Sequence, residues 1–311
     1  MSLARDPQRV IMIVGPTSVG KSRLSIKLAD RIQGEIISAD SRYLYRGMDI
    51  GTAKPTKEEL ATVPHHMIDI ADPDDTWSLP RYLEETLRLI DEIQARKKIP
   101  VIVGGTGQYV RALTEGWRMP EFEPNQELRK VLTDWSMVIG PMELHKKLSI
   151  IDMEAAKIID ATNVRRTTRA LEVIFTTGHR FSELRRKEGP THGYWIIGLT
   201  MERDELYKQV DARINTMFDN GLVNEVRLLL EKGYSTSLPS MSAIGYREVV
   251  QYIRGEITLE EAKVLMRKNT RQFIRRQANW FKPSDESIHW YKMYPEPMKQ
   301  ILNDMRESGG W

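Results

Sequence analysis

Five consecutive apolar residues, Val10 to Val14, stand near the start of the chain. A run this short, without polar alternation, fits a parallel strand buried on both faces. Leu24, Leu28 and Ile32 then recur at helical spacing, so a helix is expected to open near Lys21. Glu35 to Ser38 reads as a second strand, His66 to Ile70 (HMIDI) as a third, and Ile99 to Val103 (IPVIV) as another buried strand closed by GGTG. Between the last two, Leu83, Leu87, Ile90 and Ile93 place an apolar stripe on a helix with Pro80 in its first turn. Strands alternating with helices predict an α/β fold, a parallel sheet with helices on both faces. The pattern changes after Gly116. WRMPEFEPNQ carries two prolines and no strand signal, and residues 127 to 186 show only helical periodicity and charge. Tyr194 to Leu199 (YWIIGL) resumes the strand character, and helices are expected at 203–219, 222–232 and 259–281. The layout predicts a core of residues 1–115 and 194–311 interrupted by a mainly helical insertion, 116–193.

Composition narrows the classes of function. The 311 residues contain no cysteine, which excludes disulfides, thiolate zinc sites, a cysteine nucleophile and iron–sulfur ligation. A reducing cytoplasm is the simplest setting. The opening MSLARDPQR lacks the apolar stretch of a secretory signal, and Val10–Val14 is far too short to span a bilayer, so no membrane partner is expected. Net charge is only +3, but it is unevenly spread. Lys263, Arg267, Lys268, Arg271, Arg275, Arg276 and Lys282 fall in one stretch without an Asp or Glu. Arg165, Arg166, Arg169, Arg180, Arg185, Arg186 and Lys187 face only Glu172 and Glu183 in another. These are footprints for a polyanion or solvated helix faces.

GPTSVGKS, Gly15 to Ser22, meets the G-x-x-x-x-G-K-[ST] pattern at each fixed position and lies between a predicted strand and a predicted helix. Its components, Gly15, Pro16, Thr17, Ser18, Val19, Gly20, Lys21 and Ser22, supply what a phosphate needs. Glycines turn backbone N–H groups inward, the helix N-terminus adds partial positive charge, Lys21 adds a full one, and the Ser22 hydroxyl can ligate Mg²⁺. ATP hydrolysis would also call for an apolar strand ending in an acidic residue. IPVIV ends instead in Gly104-Gly105-Thr106-Gly107, and Asp69 within HMIDI is a poor substitute. The loop therefore indicates phosphate more strongly than ATP. The second strand ends in Ser38-Ala39-Asp40-Ser41, and carboxyl ends of neighbouring parallel strands share one edge. Asp40 is thus expected beside the loop, as metal ligand, general base or turn cap.

The sequence resembles the tRNA dimethylallyltransferase (isopentenyltransferase) family, of the bacterial type without a zinc finger. The residues that carry the likeness are GPTSVGKS (15–22), SADSRYLYRGMDIGTAKP (38–55), PHHMIDIADP (64–73), VGGTGQY (103–109), RALEV (169–173), AIGYRE (243–248) and TRQFIRRQANWF (270–281), in family order over nearly the whole chain. The resemblance implies a P-loop NTPase-like core and transfer of a dimethylallyl group from dimethylallyl diphosphate to N6 of the adenine 3′ of the tRNA anticodon. It implies a diphosphate in the loop, with Mg²⁺ on Ser22. Asp40 is implied as the general base, and Lys21, Ser22 and Arg213 as stabilisers of the leaving group. Arg213 falls within the apolar stripe Leu206, Val210, Met217, where a charged head must snorkel out or meet an anion. Contacts to the tRNA anticodon stem-loop are implied for Asp40, Ser41, Arg42, Tyr43, Thr106, Arg165, Arg166, Arg169, Gly245, Tyr246 and Arg247. Thr17 and Thr106, implied substrate contacts, are equally good turn residues. Arg267, Arg271 and Arg275 share one helix face, to grip RNA or to pack against the core's own acids.

The target adenine must leave its stack to reach a carboxylate beside a phosphate cradle. A channel is expected, adenine entering at one mouth and the prenyl donor at the other, in a monomer. Gln108 and Tyr43 stand where relatives often carry leucine and glutamine, and Ser22 where threonine is commoner. His65-His66 is expected to shape its segment rather than bind metal. The competing readings are a small-molecule kinase, a prenyltransferase of free adenine nucleotides, and an RNA-binding module with a vestigial loop.

Overall fold

The computed structural model describes residues 9–118, 125–184 and 186–308. The opening MSLARDPQ, residues 119–124 of the proline-bearing connector, and Arg185 lie outside the described residues. The chain divides into two compact units, Met1–Thr114 with Thr191–Trp311, and Glu115–Pro190.

In chain order the elements begin with β1 (Arg9–Val14), α1 (Lys21–Ile32), β2 (Gly34–Ser38), α2 (Lys57–Thr62), β3 (His65–His66), α3 (Leu79–Ala95), β4 (Ile99–Val103) and α4 (Gly107–Thr114). The second unit holds β5 (Trp117–Arg118), α5 (Gln126–Ile139), α6 (Pro141–Ile151), α7 (Met153–Ile158), α8 (Val164–Thr177), α9 (Phe181–Leu184) and β6 (Arg186–Lys187). The first resumes with β7 (Gly193–Thr200), α10 (Arg203–Asp219), α11 (Leu222–Glu231), α12 (Tyr246–Ile253), α13 (Leu259–Ala278), β8 (Ile288–Lys292) and α14 (Met298–Glu307).

The sheet of the first unit runs β3-β2-β4-β1-β7-β8, every pairing parallel. β1 is central, and Val10 to Val14 are fully buried, as a strand covered on both faces must be. α3 starts at Ser78, whose hydroxyl accepts from the Arg81 amide, with Pro80 in the first turn. It buries Tyr82, Leu83, Thr86, Leu89, Ile90 and Ile93. A second core of this unit gathers Val210, Ile214 and Met217 of α10 with Leu222, Val226, Tyr246, Val249 and Met266.

Three expectations need correction. The strand at 66–70 shrinks to His65–His66, because Met67 and Asp69 have φ of 62° and 54°, which extended backbone cannot accommodate. Ile70 and Ala71 instead turn their amides to the Leu44 carbonyl. The helices expected at the C-terminal end are joined by an unexpected strand: β8 pairs with β7 and adds an edge strand. The connector after Gly116 does form a short antiparallel pair, Trp117 opposite Lys187.

The second unit is a small helical bundle. Leu132, Leu144, Leu148, Ala155, Ile159, Ala170, Leu171 and Ile174 form its core. Fully buried Glu172 accepts from the Asn125 amide, Arg129 and Arg169, which compensates the burial of its charge.

Candidate active site

The loop after β1 is a strained, glycine-dependent turn. Gly20 has φ of 102° and caps α1 without any side-chain bond, so the amides of the first helical turn stay available to an anion. The Lys21 Nζ lies 3.0 Å and 2.8 Å from the Gly15 and Pro16 carbonyl oxygens. Burial pushes its pKa down to about 8, against the pull of Asp40 and with the help of Arg213. A half-buried ammonium resting on carbonyls beside a second cation is suited to a polyvalent anion.

β2 delivers Asp40 to the same edge. Its Oδ1 accepts from the Arg42 amide at 2.9 Å, so the carboxylate does cap a turn. That bond uses one oxygen only, and the carboxylate still faces the cavities described below. Beneath it Tyr82 and Tyr109 stack at 3.7 Å, and the Tyr82 hydroxyl donates to the Ser38 carbonyl. The GGTG segment after β4 closes over this strand end. A Cβ at Gly104 would sit 2.2 Å from the Ala39 carbonyl oxygen, and one at Gly107 would sit 2.1 Å from the Trp280 ring. Only glycine permits those approaches.

Two cavities meet here. The smaller, about 340 Å³, is lined by Thr17, Ser18, Gly20, Lys21 and Ser22 of the loop, with apolar Ile36, Ile68 and Pro55 opposite. The larger, about 570 Å³, is lined by Ser41, Arg42, Thr106, Arg247, Phe273, Arg276 and Trp280. Thr17, Ser18, Asp40, Thr52 and Arg213 line both, and so form the wall between them. Arg213 reaches that wall from α10. Its guanidinium donates to the Thr52 carbonyl at 3.0 Å and lies 3.4 Å and 3.5 Å from the Thr17 and Ser18 hydroxyls. Its buried Nε has no partner among the described residues.

The residues implied by the resemblance thus separate. Asp40, Ser41, Arg42, Thr106 and Arg247 face the larger cavity. Tyr43 lies on the other side, lining the phosphate cavity with its hydroxyl on the Ala53 carbonyl at 2.7 Å. Burial and Asp40 push that hydroxyl up to about 12. Gly245 and Tyr246 are buried. The Tyr246 hydroxyl donates at 2.6 Å to Glu225, whose carboxylate also accepts from the amides of Asp49, Ile50 and Gly51. Tyr246 therefore shapes the MDIG turn from the core and offers RNA no surface. Val19, likewise, is fully buried, and its side chain packs into the core beneath the loop. Arg165 and Arg166 are exposed on α8, whereas Arg169 is tied to Glu172. On α13, Arg271 pairs with Asp211 and Arg267 donates to Asn215, so two of the three arginines on that face pack against α10. Sequence reasoning missed Phe273, Arg276 and Trp280 as cavity walls, and it missed Gln277, buried between the two loops. The one available signal was GGTG, whose glycines demand something bulky close by.

Comparison with known proteins bears on the family and the fold. The family model for IPP transferase matches residues 43–284, and that for isopentenyl transferase matches residues 8–72. The chain is 45% identical over 304 residues to a tRNA dimethylallyltransferase of Thermomicrobium roseum, covering 96% of this chain and 92% of that one. It is 48% identical over 273 residues to one from a Roseiflexus species, covering 88% and 90%. Among solved structures, the tRNA isopentenylpyrophosphate transferase of Bacillus halodurans superposes with a TM-score of 0.72 at 38% identity, over 97% of both chains. A eukaryotic dimethylallyltransferase acting on tRNA superposes at 0.81 with 26% identity, over 97% of this chain and 80% of that one. With a P-loop-type parallel sheet, a carboxylate at the neighbouring strand end and relatives matching over almost its full length, the chain belongs to the tRNA dimethylallyltransferase family.

Proposed function

We propose that this protein transfers a dimethylallyl group from dimethylallyl diphosphate to the exocyclic N6 of the adenine 3′ of the anticodon in tRNA, releasing pyrophosphate. The observation that carries the reading is the shared wall: Asp40 and Arg213 stand between a phosphate-loop cavity and a larger one with basic and aromatic walls. The smaller cavity suits a diphosphate with a short apolar tail on Ile36, Ile68 and Pro55. The larger suits a flipped base, with Phe273 and Trp280 as stacking surfaces and Arg42, Arg247 and Arg276 for the backbone.

The adenine amino group is a weak nucleophile because its lone pair is delocalised into the ring. Asp40 accepts its proton as the new C–N bond forms, a contribution of typically 10²- to 10⁴-fold. On the other side the allylic C–O bond breaks and charge grows on the departing pyrophosphate. The loop amides, Lys21 and Arg213 are fixed donors for that charge. Hard oxygen donors suit Mg²⁺, which keeps few protein ligands and is held largely through substrate phosphates. Ser22 would hold it, with Asp40 in the same cavity. Once bound it would neutralise charge on the leaving group. We assign RNA contact in the helical insertion to Arg165 and Arg166.

The test mixes unmodified tRNA, labelled dimethylallyl diphosphate and Mg²⁺ without ATP. Label is expected in the tRNA and absent from added AMP, and Asp40→Ala is expected to abolish most turnover while tRNA binding survives. Robust ATP-dependent phosphoryl transfer, preferential labelling of AMP, or near wild-type turnover by Asp40→Ala would each overturn the reading.

A further inference from the structure

Gln277 is 4% exposed near the C-terminal end of α13, and both ends of its amide are engaged. The Oε1 accepts from the Thr17 amide at 2.9 Å, and the Nε2 donates to the Gly105 carbonyl at 3.0 Å. The first partner can only donate and the second can only accept, so the amide orientation is unambiguous. A Cβ at Gly105 would lie 2.2 Å from that Nε2, so a side chain there would displace the Gln277 amide.

Each bond continues into one end of the site. A trans peptide points its N–H and its C=O to opposite sides. The Pro16–Thr17 peptide therefore gives its N–H to Gln277 and its carbonyl to the Lys21 Nζ, at 2.8 Å. The Gly105–Thr106 peptide gives its carbonyl to Gln277 and its N–H to the Ala39 carbonyl, at 3.3 Å. Thr106 also accepts the Ser41 amide on its Oγ1 at 3.3 Å. Ala39 and Ser41 bracket Asp40. One buried side chain thus links the peptide under Lys21 to the two backbone groups on either side of Asp40. The helix that carries it also presents Asn269, Phe273 and Arg276 to the larger cavity.

We infer that Gln277 is a positioning residue that sets the separation between the leaving-group cradle at Lys21 and the base at Asp40, from the helix that walls the acceptor cavity. This rests on the function proposed above. Glutamate cannot replace it, because a carboxylate cannot donate to Gly105, and methionine fills the volume but makes neither bond.

The experiment measures labelled dimethylallyl transfer to tRNA. Wild-type protein is assayed first, and its failure to label tRNA would refute the function itself rather than the role of Gln277. With wild-type active, Gln277→Met is expected to lower kcat 10- to 100-fold, the scale of about an ångström of misalignment. The KM for the donor is expected to rise severalfold and the Kd for tRNA to stay within twofold. In an Asp40→Asn background the same substitution is expected to lower residual turnover less than threefold, because the group it aligns is already gone. A kcat within twofold of wild type, tRNA affinity falling in step with kcat, or an undiminished loss in the Asp40→Asn background would each overturn the inference. Should circular dichroism show Gln277→Met unfolded, Gln277→Glu keeps the acceptor for the Thr17 amide and sets a carboxylate oxygen, which cannot donate, against the Gly105 carbonyl. It is expected to show the same kcat loss, and a wild-type kcat there would overturn the role equally.

Discussion

Replacing Arg213 by alanine removes a cation whose hydrogen-bond partners are all neutral: the Thr52 carbonyl at 3.0 Å and the Thr17 and Ser18 hydroxyls at 3.4 Å and 3.5 Å. Its Nε is buried without a partner among the described residues. Holding the Nε of a half-buried guanidinium out of water without a partner is costly unless an anion completes the set. A diphosphate in the loop cavity would do so, and its charge grows as the allylic bond breaks. A charge-assisted hydrogen bond contributes about 1.5–3 kcal/mol, so Arg213→Ala should lose roughly 10- to 150-fold in kcat/KM for dimethylallyl diphosphate at 1.4 kcal/mol per factor of ten. Arg213→Lys, which keeps the charge but not the fork, should recover part of that loss. Initial rates at saturating tRNA with varied donor measure the effect, and tRNA affinity serves as the control. A kcat/KM for the donor within threefold of wild type would show that Arg213 merely packs against the loop.

Other predictions concern charge and packing. Because the Lys21 pKa lies near 8 in the free protein, below its ordinary 10.5, the ammonium is present below pH 8 and lost above it. A bound diphosphate favours the ammonium, so donor affinity should be full below pH 8 and fall as pH rises through it. Isothermal titration with dimethylallyl diphosphate across pH 6.5–9.5, about 1.5 pH units either side of that pKa, checks this, and Lys21→Arg should flatten the profile. Joint Arg165→Ala and Arg166→Ala should make the log–log salt dependence of tRNA binding shallower by about 1–2, the release expected for two lost phosphate contacts. Arg169→Ala should instead lower the melting temperature, since Glu172 is fully buried and, among the described residues, keeps Arg129 alone as a cationic partner. Tyr246→Phe removes the bond to Glu225 and should destabilise the fold by about 1.5–3 kcal/mol, while KM for tRNA stays unchanged. A raised KM with intact stability would return Tyr246 to the RNA surface.

Much of the frame was legible from local signals. Val10–Val14, GPTSVGKS and the stripes of α1 and α3 encode strand, anion loop and helix within a dozen residues each, because burial and capping act at that range. Asp40 beside the loop followed from a rule about parallel strands. β8 was not legible. Its five residues, Ile288 to Lys292, bury only Ile288 and Tyr291, without a period-two alternation, and their partner is β7, almost a hundred residues earlier in the chain. HMIDI misled for the opposite reason, its apolar alternation hiding two left-handed residues, Met67 and Asp69, that tertiary bonds impose.

The sequence by itself determined that this protein cradles phosphate, carries a carboxylate at the adjacent strand end and resembles tRNA-prenylating enzymes. Only the tertiary structure decided which surface each side chain meets. It turned Tyr43 toward the phosphate cavity, buried Tyr246 on Glu225, spent Arg169 and Arg271 on internal acids, and brought Gln277 between two loops that lie 88 residues apart in the chain, from Thr17 to Gly105. The physical reason is that residue type fixes what a group can bond to, whereas the partner it finds depends on which distant backbone the fold delivers within about 3 Å.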